Sequence, residues 1–91
     1  MVTFGGVVFK VGDIYVVNAE GEYLIYKLLK LEASADNIFH IHCKCLWSKS
    51  GDYSLFTISS KGWYMYNAKK LKEDSLEYLL RVGSNNGHNS R

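Results

Sequence analysis

Apolar and polar positions alternate most regularly in Phe39-His-Ile-His-Cys-Lys-Cys-Leu-Trp47. Phe39, Ile41, Cys43, Cys45 and Trp47 occupy one parity, and His40, His42 and Lys44 the other. A two-residue period is that of a β-strand, so this segment predicts a strand with one face on a core and the other in water. Turn-forming residues recur at regular intervals on either side of it. Gly12-Asp13, Ala19 to Glu22, Ala35 to Asn37, Ser48 to Asp52 and Ser59 to Gly62 cut the chain into pieces of strand length. The pieces between them are Asp13 to Asn18, Tyr23 to Glu32, Ile38 to Trp47, Tyr53 to Ile58 and Trp63 to Asn67, all rich in Ile, Val, Tyr, Phe or Trp. Five strands joined by short turns predict an antiparallel meander, or a half-open barrel if the sheet curls.

The second piece changes phase. Leu24, Tyr26 and Leu28 share one parity, but Leu29 and Leu31 continue the apolar set on the other. In a strand such a flip requires a β-bulge or a sharp bend. The same residues also fit a helix over 23–33, with Lys27, Lys30 and Ser34 along a polar stripe, which would give an α+β fold instead. The preceding turn and the β-rich neighbours favour the strand.

After the strands, Asp74-Ser-Leu-Glu77 has the spacing of a capping box, with Asp74 as the cap. Leu76, Leu79 and Leu80 then fall on one helical face, Arg81 sits near the negative end of the dipole, and Gly83 offers a left-handed stop. A helix of two turns is stable only when packed, so its leucine face is expected to plug one end of the sheet. Residues 83–91 contain no bulky apolar side chain and predict a disordered tail after a single domain spanning 1–82.

Composition adjusts this picture in a few places. A chain of 91 residues has room for one core only. The aromatic share of 14% exceeds what a small core needs, which leaves Tyr and Trp for a binding surface. A formal net charge of +2 is too small for the concentrated positive field of a duplex-DNA binder. No segment approaches the roughly 20 apolar residues of a membrane span, and two Cys without a secretory leader predict a reducing, cytoplasmic setting.

Few residues suggest chemistry. His40 and His42 with Cys43 and Cys45 have the donor types of a zinc site, but in a strand the two His face one way and the two Cys the other, so the four cannot meet on one ion. The expectation is therefore no metal, with buried Cys and surface His; His88, in the tail, is the one further imidazole. The acids Asp13, Glu20, Glu22, Asp36, Asp52, Glu73, Asp74 and Glu77 lie at turns or the helix start, and Glu32 at a strand end, so no carboxylate pair is indicated. There is no nucleophile elbow, phosphate loop or dinucleotide fingerprint, which predicts a protein without enzymatic activity or cofactor. Lys69, Lys70 and Lys72 follow the aromatic run that holds Tyr64 and Tyr66, the pattern of a single-stranded nucleic-acid surface in which rings stack bases and lysines track phosphates. The same lysines also read as a solvated connector.

Phe9-Lys-Val-Gly-Asp-Ile-Tyr-Val-Val17 followed by Glu22-Tyr-Leu-Ile-Tyr-Lys-Leu-Leu-Lys30 resembles the opening hairpin of small bacterial SH3-like barrel proteins, some of which are immunity proteins that bind and block a toxin domain. The resemblance covers the first third of the chain and implies a barrel-like sheet, a protein partner and no catalytic residue. The expected function is a protein-binding module, an immunity or regulatory protein, with His40, His42, Lys44, Tyr64 and Tyr66 as its contact residues. Exposed sheet edges also offer a route to self-association. The alternative is a single-stranded nucleic-acid binder using Lys69, Lys70 and Lys72.

Overall fold

A computed structural model of the chain describes residues 2–4, 6–19, 21–34, 38–51, 54–62, 65 and 67–83. Strands β1 (Val2–Phe4) and β2 (Val7–Phe9) form a small hairpin. Strands β3 (Ile14–Ala19), β4 (Glu22–Ala33), β5 (Phe39–Ser48) and β6 (Leu55–Ser59) run as an antiparallel meander. β7 (Ala68–Leu71) returns to pair with β3, giving the order β6-β5-β4-β3-β7. The sheet does not close, so β6 and β7 are its edges. A short helix, α1, begins at Leu76–Tyr78 and widens to π-helical geometry over Leu79–Gly83. Among the described residues, no helix is long and apolar enough to cross a membrane.

The segment 23–33 is strand, not helix, and it carries the bulge that its phase flip requires. Leu28 is opposite Cys43 but Lys30 is opposite His42, so Leu29 is the extra residue on β4. A second irregularity compensates it: Ile25 is opposite Trp47 and Tyr26 opposite Cys45, which leaves Leu46 as the extra residue on β5. Each bulge exchanges the faces of everything beyond it. Leu24, Tyr26 and Leu28 therefore share a core with Leu31 instead of Lys30. Trp47, expected beside Phe39, Ile41, Cys43 and Cys45, crosses at Leu46 to the opposite face and packs with Tyr23.

Two cores result, one on each face. The larger is crossed by a row of rings from Phe9 through Tyr15 and Tyr26 to Phe56, with centroids 4.8, 5.9 and 5.7 Å apart. The β1–β2 hairpin covers it, held by the Tyr15 hydroxyl, which accepts from Lys10 N–H at 2.8 Å and donates to Val8 C=O at 2.9 Å. The smaller core consists of Ile14, Val16, Ile25 and Leu71 under Val82 of α1. The β3–β4 turn is only two residues long, since Ala19 pairs with Glu22, and Gly21 supplies its positive φ of 80°.

Several expectations fail toward the C-terminus. The strand that completes the sheet is Ala68–Leu71; of the expected strand Trp63 to Asn67, Trp63, Tyr64 and Tyr66 lie outside the described residues, Met65 is buried in the larger core and Asn67 is in a turn. Lys69 and Lys70 thus do not belong to a connector. They stand exposed on an edge strand whose Ala68 and Leu71 are buried, the guarded edge that discourages further pairing. The helix is capped one residue later than the box spacing suggests, with Ser75 Oγ accepting from Tyr78 N–H at 3.2 Å, and Gly83 ends it without a left-handed φ. It also faces the other way. Tyr78 and Val82 pack on the sheet, while Leu76, Leu79 and Leu80 are 72%, 49% and 66% exposed. Arg81 stands in the last turn, as expected, and also serves as an anchor, its guanidinium lying 4.3 Å from the Tyr23 ring centre and 4.7 Å from that of Trp47. The tail from residue 84 onward lies outside the described residues.

Candidate functional site

The polar parity of β5 builds one surface. His40 and His42 are half-buried and Lys44 is exposed, all on the face opposite Cys43. Cys43 is buried in the larger core and Cys45 half-buried beside it, both as free thiols, so imidazoles and thiols are separated as strand geometry requires. The β4 bulge then adds residues that the pattern of β5 alone does not reveal. By displacing Leu29 it turns Lys30 and Glu32 onto the histidine face, with Lys30 opposite His42 and Glu32 opposite His40. Lys27 is opposite Lys44, and β6 contributes Thr57 opposite His42 and Leu55 opposite Lys44.

His42 is fixed from both sides of its strand. Its Nε2 lies 3.2 Å from Glu32 Oε1, and its Nδ1 lies 3.1 Å from Thr57 Oγ1. A neutral ring protonated at Nε2 satisfies both contacts: it donates to the carboxylate and accepts from the hydroxyl. Lys30 Nζ approaches the other carboxylate oxygen, Glu32 Oε2, at 3.7 Å. The hydrogen bond from His42 and, after it, the charge of Lys30 hold the Glu32 carboxyl below the usual glutamate range. Three lysines (Lys27, Lys30 and Lys44) against one glutamate leave this floor net positive.

The helix rises from the same side of the sheet. Ile25 belongs to the smaller core beneath Val82, and Lys27, two residues further along β4, shares its face. The exposed leucines of α1 therefore form an apolar ridge on the side of the sheet that also carries the lysine and histidine floor. Of the expected contact residues, His40, His42 and Lys44 are brought together here, and Tyr64 and Tyr66 lie outside the described residues. Glu32, Thr57 and the outward leucines are not among the contact residues that the sequence suggests. The phase flip at Leu29 held the signal for Glu32, but the direction of the leucines has none in the sequence.

Of the alternative nucleic-acid patch, Lys70 is paired with Asp13, Nζ to Oδ2 at 3.2 Å; with Lys69 and Lys10 it borders one depression, and with Lys72 another. Among the described residues, no group of three or more His, Cys, Asp or Glu side chains could hold a metal ion. No family model matches the chain, and neither the curated proteins nor the solved structures contain a significant match to it.

Proposed function

We propose that the chain is a non-enzymatic protein-binding module, an immunity or regulatory protein of a bacterial cytoplasm, that docks a partner on the helix-bearing side of its sheet. The observation that carries the reading is the outward ridge of Leu76, Leu79 and Leu80. Exposed leucines gathered on one short helix cost solvation free energy that burial in a partner recovers. The ridge offers only a few hundred square ångströms, whereas a specific interface covers about 800 Å² per partner. The remaining contact falls to the floor on the same side of the sheet, where Lys27, Lys30 and Lys44 outnumber Glu32. The partner is accordingly a protein with an apolar groove for the leucines and an acidic surface beside it. The meander order and the bent β4 are compatible with the half-open barrel that the N-terminal resemblance implies.

The test is a matched comparison of two surface variants. Leu76→Glu with Leu80→Glu places charge in the ridge, and Val8→Glu places one at another exposed apolar position, remote from it. A partner taken from the native host, then purified and titrated, is expected to bind the wild type and Val8→Glu alike, to lose at least about tenfold in affinity for the ridge variant, and to weaken with salt. Equal binding by all three rules the ridge out. Salt-sensitive binding of a mixed single-stranded oligonucleotide pool, lost on substituting Lys69, Lys70 and Lys72, would replace this reading with the nucleic-acid one.

A further inference from the structure

We propose that the chain self-associates as a twofold dimer in which strand β6 pairs antiparallel with β6 of a second copy. The dimer is independent of the partner that the helix ridge would dock, and it gives the self-association expected of an exposed edge one strand and one register. The two edges of the sheet are not equivalent. β7 presents Lys69 and Lys70, and β2 of the hairpin lies near it, Val7 and Val8 lining one depression with both lysines. β6, in contrast, carries neither a charged residue nor a proline. Its register with β5 runs unbroken from Ser59 opposite His40 to Leu55 opposite Lys44. Charges, prolines and bulges are the devices that keep an edge strand from pairing, and β6 has none of them.

Hydrogen bonds at the two ends of β6 fix the direction of its backbone groups. Cys45 N–H donates to Ser54 C=O at 2.6 Å, and Ser60 N–H donates to Phe39 C=O at 2.8 Å. Bonded and non-bonded pairs alternate along an antiparallel ladder. Phe56 and Ile58 therefore turn their N–H and C=O groups toward β5, and Leu55, Thr57 and Ser59 turn theirs outward. The Ser59 carbonyl is engaged, accepting from Gly62 N–H at 2.8 Å in the turn that follows. The N–H and C=O groups of Leu55 and Thr57 form the open template: among the described residues, only β5 pairs with β6.

That template is complementary to itself. With a second β6 laid antiparallel about a twofold axis at Phe56, Leu55 of each copy stands opposite Thr57 of the other. Each of these two pairs exchanges two N–H to C=O bonds, four in all. The axis is perpendicular to the sheet, so each face continues from one copy into the next. Thr57 lies on the histidine face, bonded to His42, and Leu55 two residues earlier shares that face. Leu55 is 70% exposed in the single chain; pairing sets it against the second copy's Thr57 and within diagonal reach of its Leu55. Lys44 of one floor stands three strand spacings, about 14 Å, from its counterpart, beyond the Debye length of about 8 Å at physiological salt. The two positive floors therefore repel little. An edge contact of this length covers less than the roughly 800 Å² per partner of a standard interface, so the dimer is weak and reversible.

The experiment is sedimentation equilibrium of the full chain up to millimolar concentration, with amide hydrogen exchange read by nuclear magnetic resonance at low and high concentration. A monomer–dimer equilibrium is expected, and protection of the Leu55 and Thr57 amides should rise with concentration. Thr57→Pro removes an outward donor without touching the bonds to β5, and two of the four bonds between copies go with it. It should weaken association by about tenfold or more. Thr57→Val keeps the N–H and loses only the hydroxyl, so it should associate like the wild type. Leu55→Lys adds the guard charge that β6 lacks and should also weaken the dimer; with an unaltered backbone, it serves if Thr57→Pro fails to fold. Leu76→Glu with Leu80→Glu should leave the dimer unchanged, which separates it from docking at the helix ridge. A chain that stays monomeric at millimolar concentration, a Leu55→Lys variant that associates like the wild type, or a dimer lost in the ridge variant overturns the proposal.

Discussion

At the scale of single residues, burial decides what the reactive groups can do. Cys43 and Cys45 sit two apart on one strand face, yet their surroundings differ. Cys43 is buried, and loss of hydration pushes its thiol from 9.0 up to about 12. Cys45 is half-buried; desolvation raises its thiol too, partly offset by hydrogen bonds from Ser48 and Trp47. Thiolate is the reactive form, so at pH 8 an aromatic disulfide reagent should label Cys45 first and reach Cys43 only as fast as the protein unfolds. Peptide mass analysis at timed quenches checks the order. A pH dependence follows from the same shift. A thiol whose folded-state pKa is raised keeps its proton while the unfolded chain releases it, so its stabilising contribution is complete below about pH 9 and declines as pH rises toward 12. Urea midpoints between pH 8 and 11 should fall more steeply for the wild type than for Cys43→Val, which has nothing to ionise at that position. The strict alternation around Cys43 marked both thiols for the core face in the sequence, but not the difference in burial between them.

At the scale of elements, the bulge at Leu29 is the most consequential feature. It sends Leu31 to the larger core and Lys30 and Glu32 to the wet face, although simple alternation from Leu28 would do the reverse. Deleting Leu29 removes the extra residue and leaves Leu31 two positions after Leu28, so Lys30, Leu31 and Glu32 keep their present faces in a regular strand. The cost should therefore stay well below the roughly 3 kcal/mol of burying charges without partners. Leu29→Ala keeps the extra residue, and since Leu29 is 43% exposed the loss should stay within about 1 kcal/mol. Chemical denaturation of the two variants separates backbone count from side-chain contact. The sequence announced this bulge through its phase change, but not the compensating one at Leu46. A bulge on a strand whose two flanks both carry large apolar residues leaves no polarity signal, and so alternation alone puts Trp47 on the wrong face.

For the molecule as a whole, stability and surface chemistry are divided between opposite sides of the terminal helix. Val82 is 4% exposed over Ile14, Val16, Ile25 and Leu71, whereas Leu80, two residues earlier on the far side, is 66% exposed. Val82→Ala should therefore cost about 2 kcal/mol through lost burial and the space left behind. Leu80→Ser should change stability by less than about 0.5 kcal/mol, as surface substitutions usually do. Thermal melts of both decide which face of the helix holds the fold. The opposite result would mean that the leucines, and not Tyr78 and Val82, are the packed side.

By itself, the sequence determined the elements whose cause is local: the alternation of β5, the turn at Gly21, the strand with a phase flip over 23–32, and a short helix beginning near Ser75. It also determined the separation of imidazoles from thiols, because a two-residue period admits no other arrangement. Only the tertiary structure decided which strand β7 would join and which side of α1 is buried. Those outcomes depend on pairing partners far away in the chain: Leu71 is buried because it stands beside Ile14, and Tyr78 with Val82 displaces the leucine face because Tyr23 and Trp47 offer Arg81 two rings to lie against. The gathering of Glu32, His42 and Thr57 from three strands has the same origin, since register, which no single segment encodes, brings them within hydrogen-bond reach.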